Sequence, residues 1–320
     1  MSSAPAAEHR PELLLVAPLM PFLLDQLRQH YTLHDRIHVS DPAAFAAVAP
    51  RIRGVVANGE AKLPRELIAQ LPALEVVSVF GVGYDGIDVQ AAHERKVPVT
   101  NTPAVLNDDV ADLAIGLLIA AARRIPQADR FVRANEWTHG PIALSRKVTG
   151  GRLGIVGMGR IGQAIAERAL AFKMSIAYTA RSPRAGIAYT YHPDPVALAA
   201  AVDFLVVITP GGAGTQGLID ARVLSALGPE GYLINVARGS VVDQDALIDA
   251  LRHGTIAGAG LDVFANEPNV PEALRALPNV VLTPHIGSGT RQTREAMGQL
   301  VFDNLQAHFT GRPLLTPVDA

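Results

Sequence analysis

Apolar positions along this chain come in short blocks, separated by polar stretches rich in proline and glycine, and the blocks alternate between two spacings. Leu13–Ala17, Ile52–Ala57, Leu74–Phe80 and Val97–Thr100 are near-continuous apolar runs, as strands buried on both faces require. Between them, Pro21–His30, Pro64–Leu71 and Val89–Lys96 read as helices, the first with proline in its opening turn. The alternation resumes beyond Gly150, where strands are predicted at Leu153–Val156, Ser175–Thr179, Phe204–Ile208, Tyr232–Asn235, Gly258–Asp262 and Val280–Leu282. Strands alternating with helices imply parallel sheets covered on both faces. The predicted fold class is α/β, with two doubly wound, Rossmann-like parallel-sheet domains. Asn107–Arg123 is the longest helical pattern and is apolar almost all round, which predicts burial between domains or subunits. Pro126 opens a further helix. The single tryptophan, Trp137, then follows in a polar loop, either as a core residue or as an aromatic capping a substrate pocket. A last helix, Thr290–Phe309, and a polar tail are too short for a domain and are expected to fold back on the first one.

Composition narrows the function classes. A chain of 320 residues predicts two domains, and 49% hydrophobic with 18% charged residues predicts a well-packed globule. The net charge of −2 argues against nucleic acid or an anionic membrane as a partner. The absence of cysteine excludes disulfides, thiolate chemistry and cysteine metal sites, and no metal site is predicted. The opening residues lack the apolar region of a secretory signal, and no stretch approaches the roughly 20 apolar residues that a bilayer requires. A cytoplasmic protein is expected.

The chemistry starts at Gly150–Ala185. An apolar run meets Gly157, Gly159 and Gly162, a helical segment follows, and a second run ends in Ala180-Arg181-Ser182. That is strand, tight turn, helix and strand, with glycines where a pyrophosphate presses on the backbone. Gly157 permits the turn, Gly159 the approach of the phosphate, and Gly162 the close packing of helix on strand. The helix N-terminus offers the anion unpaired N–H groups and a positive dipole. Where an NAD-binding unit places an acid for the ribose 2′-OH, this chain has Arg181 and Ser182, with Arg184 just beyond. Two guanidiniums suit a 2′-phosphate, so NADP(H) is the predicted cofactor.

In an open parallel sheet, ligands sit outside the carboxyl ends of the strands. Three residues stand at such tips: Arg238 in INVARGSVVD, Glu267 in LDVFANEP and His285 in VVLTPHIGSGT. An arginine can hold a carboxylate bidentately. A histidine can exchange a proton near neutral pH, and a glutamate beside it orients the ring and raises its pKa. With a nicotinamide, this is the equipment for carbonyl reduction.

The motifs GMGRIG, NVARGSVVD, LDVFANEP and TPHIGS, in this order, resemble the D-isomer-specific 2-hydroxyacid dehydrogenase family, over roughly residues 12 to 315. FGVGYDGID, TPAVLNDDVADLAIGLL and the Arg181-Ser182 tip are most similar to the NADPH-preferring glyoxylate/hydroxypyruvate reductases within it. The resemblance implies a substrate-binding, flavodoxin-like domain of residues 1–101 with 288–320 and a dinucleotide-binding domain of residues 102–287, with substrate in the cleft between them. It implies His285 as acid–base, Glu267 as its partner and Arg238 as substrate anchor. Backbone N–H groups of Val82 and Gly83 would meet the substrate carboxylate, and Ser288 would face the same pocket. Arg160 and Ile161 would lie on the pyrophosphate, and Thr209 and Val236 along the cofactor. Asp262 would sit near the nicotinamide carboxamide or the substrate, and Gly287 by the ring. Homodimers would form through the nucleotide domain, with Trp137 reaching the neighbouring subunit's site.

Two departures from the family pattern stand out. Many relatives carry a Leu- or His-containing loop after the fourth strand of this domain, where this chain has TPGGAGT, and the acid after Thr179 is missing. The expected activity is NADPH-dependent reduction of a small 2-keto acid (glyoxylate, hydroxypyruvate or pyruvate) to the D-2-hydroxy acid. Two alternatives stay open: an NAD-dependent dehydrogenase for a bulkier 2-keto acid, and a nucleotide-sensing, corepressor-like binding protein of the same fold.

Overall fold

A computed structural model describes residues 10–319. The chain divides into two units at Leu106/Asn107 and Thr290/Arg291, a few residues beyond the expected 101/102 and 287/288. The first unit holds β1 (Glu12–Leu15), β2 (Thr32–Asp35), β3 (Ile52–Asn58), β4 (Val76–Phe80) and β5 (Val99–Thr100). They form one parallel sheet in the order β2-β1-β3-β4-β5. The central strands are apolar without alternation because helices cover both faces: Leu13, Leu14, Val55, Val56 and Val77 are fully buried. Strand β2, with the sequence TLHD, has no apolar pattern and was not predicted. It lies at the sheet edge, where His34 Nε2 lies 2.7 Å from Oε2 of the buried Glu12 and Arg51 Nε donates to Oε1 at 2.7 Å.

The helix Arg291–Phe309 returns to this unit, as expected of the C-terminal segment. It packs on β4 and on the helix Pro21–His30, where a Cβ on Gly298 would stand 2.5 Å from the Phe22 ring. His308 and Glu75 pair at 3.3 Å across the same junction.

The second unit contains β6 (Arg152–Val156), β7 (Ser175–Thr179), β8 (Thr190–Tyr191), β9 (Phe204–Val207), β10 (Tyr232–Asn235), β11 (Gly258–Leu261) and β12 (Val280–Leu282). All seven are parallel, in the order β12-β11-β10-β9-β6-β7-β8. From β6 the chain winds outward through β7 and β8, then crosses back to β9 on the other side. The strand order therefore reverses between β6 and β9, which is where open α/β sheets bind their ligands.

The apolar helix Asn107–Ala122 packs within this unit, against β10, β11, β12 and the helix Arg160–Ala171. Arg168 ties the two helices together through Asp108, at 2.9 Å, and Asp112. The core reading of Trp137 is overturned. Its side chain is 68% exposed, in a 3-10 turn after a helix, Ile125–Arg133, that has no buried residue. Among the described residues, no helix is long and apolar enough to cross a membrane.

Candidate active site

Strand β6 runs directly into Gly157, whose φ of +107° is open to glycine and strained for other residues. A Cβ there would also stand 2.9 Å from the backbone N of Thr209, just after β9. At Gly162 a Cβ would stand 2.1 Å from the Gly157 carbonyl oxygen, so only glycine lets the helix Arg160–Ala171 seat on the turn. Gly159 differs, because a Cβ there would meet nothing within 4 Å. Gly157 and Gly162 are thus accounted for by packing, whereas Gly159 fronts open space. Gly159 is also the N-cap and supplies no side-chain acceptor, so the N–H groups from Arg160 and Ile161 onward begin a helix with an uncapped end. This cradle, at the sheet's switch point, fits a pyrophosphate.

The segment expected to meet the ribose lies at the far end of the unit. Strand β7 ends at Thr179, and Arg181, Ser182 and Arg184 follow as exposed residues. Neither guanidinium has an ion-pair partner among the described residues, and no carboxylate stands in the segment 180–184. The loop after β9, which carries no side chains at Gly211, Gly212 and Gly214, closes on itself through Thr215 Oγ1, donating to the Pro210 carbonyl at 2.7 Å.

Three neighbouring tips, after β10, β11 and β12, carry the titratable residues. The β10 tip is held by Asn235, whose Oδ1 accepts from Ala237 N at 3.1 Å and whose Nδ2 donates to Arg238 O at 3.0 Å. Val236 is buried beside them, and Arg238 Nη1 donates to the Ala237 carbonyl at 2.7 Å. A Cβ on Gly239 would fall 1.9 Å from the Phe264 backbone, so the Arg238 turn and the turn leading to Glu267 lie backbone against backbone. Glu267 is fixed at both oxygens. Phe264 N–H donates to Oε1 at 2.8 Å, and His285 Nδ1 lies 2.7 Å from Oε2.

His285 itself has a φ of +52°, which is uncommon for a side chain of its size. The buried Asp262 holds that turn in place. Its carbonyl accepts from His285 N–H at 2.9 Å, its Oδ1 from Thr283 Oγ1 and Ile286 N–H, and its Oδ2 from Gly287 N–H at 2.8 Å. Asp262 therefore has its carboxylate turned to the loop that carries the histidine. Ser288 follows, partly buried. Val82 and Gly83 belong to the first unit, where they follow β4; Asn101 Nδ2 donates to the Val82 carbonyl at 2.9 Å.

Electrostatics separates the two carboxyls. Burial pushes Asp262 above the ordinary aspartate range, against the opposing effect of its hydrogen bonds with Thr283, Ile286 and Gly287. Burial also works against ionisation of Glu267, but hydrogen bonds from His285 and Phe264 and the charges of His285 and Arg238 outweigh it. Glu267 is held below its ordinary value of 4.5 and is a carboxylate at neutral pH. An ionised carboxylate only accepts, so the ring nitrogen facing it, Nδ1, carries the proton and Nε2 is the nitrogen for chemistry. Linkage gives a pH prediction. A depressed folded pKa contributes stability above the unfolded value that is lost as pH falls through the folded value. Wild type should exceed Glu267→Gln in stability above pH 4.5, with the gap shrinking below it, as read by denaturant unfolding across pH. A gap that widens on acidification would contradict this account of Glu267.

A cavity of about 460 Å³ lies elsewhere in the second unit, beside Arg124, Arg146, Glu230, Tyr232 and Asn279. It sits at the amino ends of β10 to β12, away from the glycine turn and the three tips, so its size does not make it the reaction site.

Tyr178 and Tyr191, which bond to the segment after β7, and the Asp262 hydrogen bonds were not anticipated from sequence.

A family profile described as D-isomer specific 2-hydroxyacid dehydrogenase, NAD binding domain, matches residues 115–287. Hydroxyphenylpyruvate reductase from Plectranthus scutellarioides is 49% identical over 308 residues, covering 95% of this chain and 98% of that protein. Glyoxylate/hydroxypyruvate reductase A from Arabidopsis thaliana is 47% identical over 307 residues, covering 95% and 98%. Among solved structures, this chain is similar to the NADPH-dependent glyoxylate/hydroxypyruvate reductase of Sinorhizobium meliloti in complex with NADP and malonate. The TM-score is 0.91 and the identity 50%, over 97% of both chains. With both sheets, the glycine turn and the Glu–His pair accounted for, the chain belongs to the D-isomer-specific 2-hydroxyacid dehydrogenase family.

Proposed function

We propose that this chain reduces a small 2-keto acid, such as glyoxylate, hydroxypyruvate or pyruvate, to the D-2-hydroxy acid with NADPH. The observation that carries the reading is the Glu267–His285 pair, 2.7 Å apart, on tips of the sheet whose switch point holds the glycine turn. When bound, the reduced nicotinamide supplies a hydride to the carbonyl carbon. His285 Nε2 gives its proton to the carbonyl oxygen, and Glu267 holds Nδ1–H and stabilises the imidazolium until that transfer. Arg238 grips the substrate carboxylate, and the resemblance adds Ser288 and the N–H groups of Val82 and Gly83 to the substrate's contacts. In the reverse direction the same histidine takes the hydroxyl proton.

On the cofactor side, Gly157, Gly159, Arg160, Ile161 and Gly162 take the pyrophosphate, and Arg181, Ser182 and Arg184 the 2′-phosphate. Thr209, Val236 and Gly287 lie along the nicotinamide half, and Asp262 acts there through the turn it holds. The preference for NADPH rests on the two exposed arginines and the missing acid, and the Sinorhizobium meliloti reductase complexed with NADP supports it. A homodimer through the second unit is part of the same reading. Exposed apolar side chains at Ile125, Val132, Trp137 and Leu144 support it, with Trp137 reaching the neighbouring subunit's site.

The test is a panel of 2-keto acids run in parallel with NADPH and NADH. Reduction with NADPH is expected. Indifference between the cofactors would overturn the NADPH half, and no turnover on any keto acid would favour a nucleotide-sensing binding protein. Arg181→Ala should weaken NADPH by about 10-fold or more, since one charge-assisted contact is worth about 1.5–3 kcal/mol, and leave NADH nearly unchanged. Equal losses for both would remove Arg181 from the 2′-phosphate.

A further inference from the structure

Two arginines on an exposed loop select a phosphate only if the backbone beneath them is fixed, because long side chains on a loose segment must be ordered at binding. Between β7 and β8 that backbone is tied at two points, both by tyrosine hydroxyls. The Tyr178 hydroxyl accepts from Arg184 N–H at 2.8 Å, and the Tyr191 hydroxyl donates to the Ala180 carbonyl at 3.3 Å. The two bonds bracket Arg181, Ser182 and Pro183.

The tyrosines form one unit. They are register partners across the β7–β8 pair, and their ring centroids are 5.5 Å apart with a 60° tilt. Tyr178 is 1% exposed, a setting in which its ring alone would satisfy packing and a buried hydroxyl needs a partner. That partner is the Arg184 amide. Strand β8 is only two residues long, and its pairing sets Tyr191 over Tyr178.

We infer that Tyr178 and Tyr191 are positioning residues for cofactor selectivity, holding the Ala180–Arg184 backbone so that both guanidiniums converge on the 2′-phosphate of NADPH. The inference rests on the proposed reading of Arg181 and Arg184 as 2′-phosphate ligands. Neither tyrosine touches substrate or the reacting atoms. Their effect falls on the binding of one cofactor and not on the chemical step.

The experiment compares Tyr178→Phe and Tyr191→Phe with wild type, by fluorescence titration of NADPH and NADH and by steady-state kinetics with each. Phenylalanine keeps the ring and removes only the hydrogen bond. Each variant should raise Kd and KM for NADPH by about 2- to 10-fold, the range for one net hydrogen bond. Kd for NADH and kcat at saturating NADPH should stay within about 2-fold, because the loop bonds act on the 2′-phosphate contact alone. In an Arg181→Ala, Arg184→Ala background the tyrosine effect on NADPH should vanish, since the contact it supports is gone. Equal losses for both cofactors would mark the tyrosines as merely structural and overturn the inference, as would unchanged NADPH binding in both variants. If the arginine variants lose NADPH selectivity and the tyrosine variants do not, the positioning role alone fails. If the double arginine variant binds NADPH like wild type, the underlying 2′-phosphate reading fails, and the inference with it.

Discussion

His285→Ala is expected to lower turnover by about 10²–10⁴-fold, the usual contribution of a positioned acid, while NADPH still binds with near wild-type affinity. The histidine faces Glu267 through Nδ1, which fixes the ring and the tautomer and leaves Nε2 to carry the proton that alanine cannot supply. The variant also carries a backbone effect, because His285 has a φ of +52° and alanine tolerates that region poorly. His285→Asn separates the two causes. Asparagine accepts left-handed φ far better, so its fold should be closer to wild type while its turnover falls as far as that of alanine. Near-normal turnover in either variant, with NADPH bound, would take the acid's role away from His285.

Gly162→Ala is expected to weaken both NADPH and NADH by at least about 10-fold and to lower stability, because a methyl at 2.1 Å from the Gly157 carbonyl forces the helix off the turn. Overpacking of this kind costs about 1–3 kcal/mol. Gly159→Ala is the matched control, since its methyl meets no protein atom within 4 Å. It should melt like wild type and still lose nucleotide affinity, because the open space it fills is where the pyrophosphate is placed. Thermal melts and titrations on the two variants read both effects. Wild-type affinity in a folded Gly159→Ala would move the phosphate elsewhere.

Much of this was legible in the chain because the signals were local. A continuous apolar run followed by glycines at 157, 159 and 162 specifies strand, turn and helix from neighbouring residues alone, and the three glycines differ in the structure as their spacing implies. Arg238, Glu267 and His285 were visible because each follows a predicted strand, and parallel strands bring their carboxyl ends to one edge.

What escaped depended on tertiary context. Strand β2 is polar and stands at an edge, so it lacks the apolar pattern that reveals buried strands. The helix Asn107–Ala122 is apolar nearly all round, a pattern that does not say whether its cover is a sheet, a helix or another domain. Trp137 reads as core by residue type, yet the helix before it has no buried residue. Asp262 shows the same limit: its sequence position is plain, but the hydrogen bonds that shape the His285 turn exist only once β11 and β12 are paired.

The most direct test of the account is the product formed from hydroxypyruvate and NADPH. D-glycerate should appear in step with NADPH oxidised, and its formation should collapse in His285→Ala. The L-enantiomer, or no NADPH oxidation by folded protein that binds the nucleotide, would contradict it.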